Sequence, residues 1–321
     1  MILTSETVRL LPSTGDLSWV VERDGEKTGT IGLTSPAGPG GDITFSPGVT
    51  AEAVRLVASF AFEQLGWEIV LWRSPANDWD GLRALWEAGF GRFAYVDGGT
   101  AYQGVRCEQW IASLRAGDSR EPRTPWWDIP VIDGERLRLR PHRPSDAQRI
   151  VEAASDERTQ YWAPHFASPY TLADAEYYLE SRLWMSATGT AVSWAVVDPE
   201  TDVLLANLSV LHIDGDDSGE IGFWAHPEAR GRGLMTEAVA LGIRHAFTPV
   251  EAGGLGRYRL VLATAAGNTA SQHVALANGF VAAGIEREAE VLRDGSRQDM
   301  LWFDLLRSES PFPSPETDPA A

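Results

Sequence analysis

The chain has 321 residues, 44% of them apolar and 22% charged, about twice the usual length of one domain and rich enough in apolar residues to bury ordinary cores. Its formal net charge of −18 disfavours phosphate backbones and anionic lipid surfaces and suits a basic or amine-bearing partner, although an acidic surface also serves solubility alone. One cysteine, Cys107, excludes an internal disulfide and a cysteine-rich metal site.

The start, Met1 to Glu6, has no basic region followed by an apolar run, and no apolar stretch reaches membrane-spanning length. A soluble cytoplasmic protein without nucleic-acid or membrane partners is expected. Val8 to Pro12 passes almost directly to Ser18-Trp19-Val20-Val21, a turn at Asp24-Gly25 and Thr28 to Thr34, which together read as a β-hairpin. Ile43 to Pro47 is a short strand stopped by proline. Apolar residues at helical spacing predict a helix over Ala51 to Leu65, followed by a strand over Glu68 to Trp72. A helix ending at Ala88-Gly89-Phe90 and two strands closing near Trp110 complete this half. Cys107 alternates with polar neighbours in the last strand, which predicts a buried strand thiol rather than a nucleophile. From Arg115 to Pro130 three prolines and mixed charges interrupt all periodicity and mark an interdomain linker. Its Trp126-Trp127 pair is expected to pack onto a domain surface.

The second half repeats the order. It inserts two helical segments, about Ser145 to Ala154 and Leu172 to Met185, before a hairpin of Ser193 to Val197 and Val203 to Val210 turning at Asp198-Pro199. The strand Ile221 to Pro227, the helix Gly233 to Phe247, the strand Arg259 to Ala263 and a helix ending at Asn278-Gly279-Phe280 follow, with two last strands ending near Trp302. The final stretch, Ser308 to Ala321, holds four prolines and reads as a disordered tail. The fold class is therefore α+β, a tandem duplication in which each copy is a mixed, mostly antiparallel sheet flanked by helices. The boundaries read as residues 1–114, linker 115–130, residues 131–307 and tail 308–321.

The copies differ most between strand and helix. The first has Ser46-Pro47-Gly48-Val49-Thr50-Ala51-Glu52 where the second has His226-Pro227-Glu228-Ala229-Arg230-Gly231-Arg232-Gly233-Leu234-Met235-Thr236-Glu237. A strand leading through Arg-Gly-Arg-Gly into a helix can hold an anion. Helix N-termini present unpaired N–H groups and partial positive charge, glycines let the backbone wrap closely, and Arg230 and Arg232 can add charge-assisted bonds. Pyrophosphate is the natural guest; an arginine-glycine turn that merely caps a helix is the plainer alternative.

In this context the second half, over roughly Ile132 to Leu306, resembles the GNAT superfamily of acyl-CoA-dependent N-acyltransferases, whose signature at this junction is Gln/Arg-x-x-Gly-x-Gly/Ala. Arg230 and Gly233 match its first two fixed positions, and Met235 stands where the final small residue belongs. The opening Leu137-Arg138-Leu139-Arg140-Pro141 with Asp146-Ala147, the strand Gly219 to Trp224, and Asn268-x-x-Ser271 followed by Gly279-Phe280 are similar to the branch of ribosomal-protein N-terminal alanine acetyltransferases. In the first half the resemblance covers only the fold pattern.

The resemblance implies acetyl-CoA as co-substrate. It places the pyrophosphate on Arg230, Gly231, Arg232, Gly233, Leu234, Met235 and Thr236, and the pantetheine arm along Phe223, Trp224 and Ala225 with a contact from Asn268. Ser271 would lie near the sulfur as general acid. Asn268 is also simply a good N-cap for the helix Thr269 to Asn278. Two carboxylates could serve as base: Glu290, at the position where that branch carries its proposed base, and Glu220, on the strand entering the loop. Either needs burial or a water relay to act near neutrality. No histidine has metal-ligand spacing, His226 and His273 being explained by packing, and no metal is expected.

In the first half Asp78 and Gly81 occupy the places of Asn268 and Ser271, and Thr100 stands opposite Glu290. That half is therefore expected to be a degenerate, non-catalytic copy that covers the edge a homodimer would use, leaving the chain a monomer and an internal pseudo-dimer. The activity implied is direct attack of a primary amine on acetyl-CoA in a ternary complex, the amine belonging to a peptide or protein N-terminus. A small amine-bearing metabolite or antibiotic is the alternative acceptor, and a non-catalytic acyl-CoA-binding module the alternative class.

Overall fold

In the computed structural model all residues are described except 16, 36–37, 76, 103–104 and 313–321, and the side chains of 92, 100–102 and 105–107 also fall outside the description. The thiol expected of Cys107 and the tail from residue 313 on therefore lie outside the described residues. The chain divides into two compact units, Met1–Pro125 and Trp126–Ala321.

The first unit runs β1 (Leu3–Thr4), β2 (Val8–Pro12), β3 (Ser18–Arg23), β4 (Glu26–Thr34), β5 (Gly40–Phe45), α1 (Ala51–Gln64), β6 (Ile69–Pro75), α2 (Trp79–Glu87), β7 (Gly91–Tyr102) and β8 (Val105–Arg115). They form an eight-stranded sheet ordered β1-β2-β3-β4-β5-β6-β8-β7, in which the β5–β6 pair alone is parallel. The second unit runs β9 (Ile132–Asp133), β10 (Arg138–Arg140), α3 (Ala147–Ser155), α4 (Glu157–Trp162), α5 (Leu172–Ala187), β11 (Ala191–Val197), β12 (Leu204–Leu211), β13 (Ser218–Ala225), α6 (Leu234–Phe247), β14 (Arg259–Ala265), α7 (Thr269–Ala277), β15 (Val281–Val291) and β16 (Arg297–Leu306). Its sheet repeats the same order, β9-β10-β11-β12-β13-β14-β16-β15, with β13–β14 as its parallel pair. The expected α+β duplication is the observed one.

The repeat extends to irregular detail. The last antiparallel pair of each sheet slips twice, between Gly91 and Ala94 and between Val96 and Thr100 in one, and between Ala282 and Gly284 and between Glu286 and Glu290 in the other. Gly98 and Glu288 take positive φ of 57° and 53° within the second slip. Asp78 caps α2 by accepting from the Gly81 N–H at 3.0 Å, as Asn268 caps α7 by accepting from the Ser271 N–H at 3.4 Å.

The units differ in what covers the sheet. Strand β3 alternates between buried and partly buried residues, the period of a sheet with one well-covered face. Every residue of β11, and all of β12 but Leu211, is buried, the pattern of strands covered on both sides. On one side α6 packs Leu234, Ala238, Val239 and Ile243 against Trp194, Leu208 and Val210. On the other, the inserted helices bring Ile150, Ala154, Ala175 and Leu179 against Ala195, Val197 and Leu204. The insertion contains α4 as well as the two expected helices. With six residues, and capped by Asp156 accepting from the Thr159 N–H, α4 is too short to show a periodic signal.

The expected linker is tethered along its length. Arg115 still belongs to β8, Arg123 donates to the Gly89 carbonyl at 3.0 Å, and Trp86 donates to the Thr124 carbonyl at 2.7 Å, all within the first unit. From Trp126 on the chain belongs to the second unit, where the Trp127 indole donates to the Gly189 carbonyl at 3.1 Å and the Trp194 indole to the Pro130 carbonyl at 3.0 Å.

A buried ion pair ties the insertion to the sheet. Arg140, 2% exposed at the end of β10, makes two parallel bonds of 2.9 Å to Asp146, 3% exposed just before α3, and a third of 2.7 Å to Asp202 in the β11–β12 turn. The geometry offsets the desolvation of both charges, but only while both are present. Asp146 also accepts from the Arg143 N–H at 2.8 Å, fixing the entry into α3. Asp146→Asn should therefore lower the unfolding free energy by about 3–5 kcal/mol, read from urea denaturation followed by tryptophan fluorescence; a loss within experimental error would mean that the pair does not hold the insertion in place.

Candidate active site

Strands β13 and β14 pair from Ser218 with Arg259 to Glu220 with Val261 and then separate, although β13 continues to Ala225 and β14 to Ala265. The other edge of β13 stays laddered to β12 from Glu220 to Ala225. The edge of Ile221 to Ala225 that faces β14 is thus left without ladder partners, and a slot opens between two neighbouring strands.

At the end of the slot the chain turns into α6. Gly231 and Gly233 sit at φ 70° and 73°, a backbone region that residues with a Cβ adopt at a cost, and Gly233 caps the helix. The N–H groups of Gly231, Arg232 and Gly233 donate to no protein acceptor among the described residues, and the first turn of α6 adds the free N–H groups every helix start has. This is an anion-binding geometry. Met235, irregular against the signature, packs its side chain on the α6 core cluster.

The two loop arginines do different things. Arg232 is exposed and has no carboxylate within salt-bridge reach among the described residues. Arg230 turns back into the protein. It donates to Asp156 at 2.6 Å, to the Thr159 hydroxyl at 2.7 Å and to the Ala225 carbonyl at 3.3 Å, and its positive charge helps hold the Asp156 carboxyl below the usual range against the opposing effect of burial. In this state its guanidinium anchors α4 rather than facing the loop mouth. Sequence reasoning did not find the loop's second brace, Arg136. Arg136 donates to the carbonyls of Arg232 at 2.9 Å and Gly233 at 3.3 Å while pairing with Glu237 at 2.8 Å. No motif links residues a hundred positions apart.

Beside the slot lies a cavity of about 520 Å³. Its floor is the α5-side face of β12 and β13, with Asn207, Ser209, Glu220 and Trp224. Its walls come from α5 and the α4–α5 connection, including His165, Tyr170, Tyr178 and Arg182, and Phe223, Leu262 and Ser271 line it at the slot. Of the residues selected from sequence, Glu220, Phe223, Trp224 and Ser271 meet on this cavity; Asn268 caps α7 three residues before Ser271. Ala225 ends β13, packed on the α6 core. Glu290, partly buried on β15 opposite Gln298, is not among the lining residues; burial pushes its carboxyl up. His226 is buried as cap of the turn Pro227–Ala229, and His273 is exposed on α7. Among the described residues no cluster of His, Cys, Asp and Glu is placed to hold a metal ion.

The cavity floor rests on a buried polar chain. His142 Nε2 donates to the Asn207 carboxamide oxygen at 2.9 Å, Asn207 donates to the Ser209 hydroxyl at 3.1 Å, and the hydroxyls of Ser209 and Ser193 are 2.7 Å apart. His142 Nδ1 has no hydrogen-bond partner among the described residues and lies 3.9 Å from the Asp146 carboxylate. Burial pushes the imidazole down to about 4, so the ring is neutral and its tautomer is set by Asn207.

The corresponding place in the first unit is closed. There the parallel ladder runs through Ile43 with Trp72, β5 ends two residues later, and Phe45 stacks on Trp72 with ring centroids 6.3 Å apart. Phe45 and Trp72 stand where the second unit has Phe223 and Leu262, and only five residues join β5 to α1 where eight join β13 to α6.

Residues 136–281 match the family model for the acetyltransferase (GNAT) domain. The chain is similar to YdaF of Bacillus subtilis, provisionally named a ribosomal N-acetyltransferase, with 26% identity over 185 residues, 54% of this chain and 93% of that protein. It is also similar to the ribosomal-protein-serine acetyltransferase of Escherichia coli, with 29% identity over 109 residues, 34% of this chain and 58% of that protein. Among solved structures, RimL, a ribosomal α-N-protein acetyltransferase in complex with coenzyme A, is alike in fold, with a TM-score of 0.50 and 18% identity over 55% of this chain and 98% of its own.

The neutral His142 makes stability depend on pH. As the pH falls, the unfolded imidazole takes up its proton near 6.5 and the folded one only near 4, so the stabilisation is complete above pH 6.5 and drains away between 6.5 and 4. One such site adds at most about 1.4 kcal/mol per pH unit. His142→Gln should flatten the curve of unfolding free energy against pH across that window; an unaltered slope would mean that His142 is not neutral in the fold.

Proposed function

We propose that the second unit, whose residues 136–281 match the acetyltransferase (GNAT) domain model, transfers acetyl from acetyl-CoA to the α-amine of a peptide or protein N-terminus by direct attack in a ternary complex. The observation that carries this reading is the meeting of three features: the slot between β13 and β14, the glycine loop at its end, and the cavity beside it that holds Glu220 and Ser271.

The residues present fit acetyl-CoA. The unpaired N–H groups of Gly231, Arg232 and Gly233, the start of α6 and the free guanidinium of Arg232 would hold the pyrophosphate, and the unladdered edge of Phe223 to Ala225 would bond the pantetheine amides. The bound thioester supplies an activated acyl group. Glu220 is the base assigned here in preference to Glu290, because it shares the cavity with Ser271. It accepts a proton from the attacking amine, directly or through one water. A backbone N–H of β13 steadies the oxyanion, and the Ser271 hydroxyl donates toward the departing sulfur. An α-amine near pKa ~8 needs less help to be neutral than lysine near ~10.4. The name of the Escherichia coli relative, ribosomal-protein-serine acetyltransferase, favours a protein acceptor. In the same reading the first unit is non-catalytic, its slot filled by Phe45 and Trp72.

Mixing the protein with acetyl-CoA and a panel of short peptides with free N-termini should release thiol in step with N-terminal acetylation. Binding of CoA with no acceptor-dependent release would leave an acyl-CoA-binding module instead. Glu220→Gln should lower kcat by about 10²-fold or more, with little change in KM for acetyl-CoA, and full activity in that variant would remove its role. Arg232→Glu should raise the KM for acetyl-CoA about tenfold or more, the scale of a lost charge-assisted bond.

A further inference from the structure

Arg182 is the arginine that lines the cavity, and it has no carboxylate partner among the described residues. In a chain with 45 acidic residues against 27 basic ones most arginines near the cavity have found carboxylates: Arg140 holds Asp146 and Asp202, Arg149 holds Glu152 and Glu228, and Arg230 holds Asp156. Arg182 donates through Nε to the Ser181 hydroxyl at 3.3 Å and makes no salt bridge among the described residues; its two terminal nitrogens have no acceptor there. An arginine left this way on a cavity wall keeps its two-pronged donor face for something that enters.

Its position is held. The guanidinium carbon lies 4.7 Å from the centre of the Tyr178 ring. Tyr178 in turn accepts a hydrogen bond from the Trp224 indole at 3.2 Å and meets the His142 ring edge to face at 6.1 Å. The stack reduces the entropy lost when a carboxylate is gripped. Trp224 pairs with Asn207 near one end of the floor. Helix α5 leads into β11, whose first residue, Ala191, pairs with Leu211 at the other end. Arg182, one turn or about 6 Å beyond Tyr178 along α5, therefore lies toward Ser209, Leu211 and Glu220. His165 at the rim adds a ring that burial and the charges of Arg293 and Arg182 keep neutral, able to donate one further bond. Glu220 and Arg182 thus line one cavity with opposite charges and form no salt bridge with each other.

We propose that the acceptor is a peptide whose first or second residue is Asp or Glu, its α-amine placed at Glu220 and Ser271 and its side-chain carboxylate gripped by Arg182. This rests on the reading of the site as a peptide α-amine acetyltransferase. It accounts for an arginine in the cavity wall that no carboxylate among the described residues neutralises.

The test measures kcat/KM for C-terminally amidated tripeptides that carry Asp, Asn, Glu or Gln at the first or second position and are otherwise alike. The expected result is a preference of about tenfold or more for the acid over its amide, the scale of a charge-assisted bond, expressed mainly in KM. In Arg182→Gln the ratio should fall to about one, and Arg182→Lys should restore part of it. Both variants should melt at the temperature of the parent, so that a folding defect is told apart. Acetylation of acidic and amide peptides with equal efficiency overturns the proposal and leaves the underlying reading intact, as does a preference that survives Arg182→Gln. A preference that appears only when the C-terminal carboxylate is left free overturns it in favour of a free amino acid or dipeptide acceptor. Thiol release with no peptide in the panel overturns the underlying reading, and the proposal with it.

Discussion

The parting of β13 and β14 after Glu220 and Val261 is the constraint on which the second unit turns. Backbone N–H and C=O groups left unladdered inside a fold are costly, and a sheet gives up pairing only where something else answers for those groups. Everything around the slot is arranged to tolerate the opening. Strands β11 and β12 are buried on both faces behind it, so the rest of the sheet does not slide to close the gap. Helix α6 is held at the far end by Gly231 and Gly233, whose positive φ angles turn the chain without bringing a side chain over the opening.

The two copies of one frame show what that opening requires. Both carry the same strand order, the same double slip in the last hairpin and the same carboxylate or carboxamide cap on the helix after the parallel pair. Where the first copy keeps its parallel pair together through Ile43 and Trp72, the stacked rings of Phe45 and Trp72 occupy the space, the connecting loop is three residues shorter, and its arginines are gone. Aromatic packing and an open slot are alternative solutions to the same geometry, and a sequence has to choose one.

Much of this was legible in the chain itself because it depends on local periodicity. Turns at Asp24-Gly25 and Asp198-Pro199 marked the hairpins, helical spacing marked α1 and α6, and the laying of one half on the other exposed both the duplication and the glycine loop. Phe223, Trp224 and Ser271 were implied by the family resemblance and Glu220 by its place on the strand entering that loop, and the four meet on one cavity. What escaped has a common cause. Tyr178, Arg182, Asn207, Ser209 and His142 come from α5, β12 and the turn after β10, and only the packing of the inserted helices on the sheet brings them together. Arg230 was legible as a loop residue but its direction was not. The choice between an anion and Asp156 is made by α4, a helix too short to announce itself.

That choice gives the insertion two functions at once. Asp156 caps α4 and receives Arg230, so the start of the anion loop is fastened to the same segment that continues into the cavity wall. On the other side Arg136 holds the carbonyls of Arg232 and Gly233 and is itself held by Glu237 on α6. A loop gripped from both sides through its arginine and its carbonyls keeps its N–H groups pointed at one place before any ligand arrives, which is where a binding site saves the entropy of ordering. The insertion is also what separates the copies. Its helices cover the second sheet, line the cavity and brace the loop, whereas among the described residues the first half passes from β2 to β3 with no helix between them. The closed place between β5 and β6 in the first copy and the shorter connection from β2 to β3 thus go together, because a loop without its brace and a cavity without its wall have nothing to keep them open.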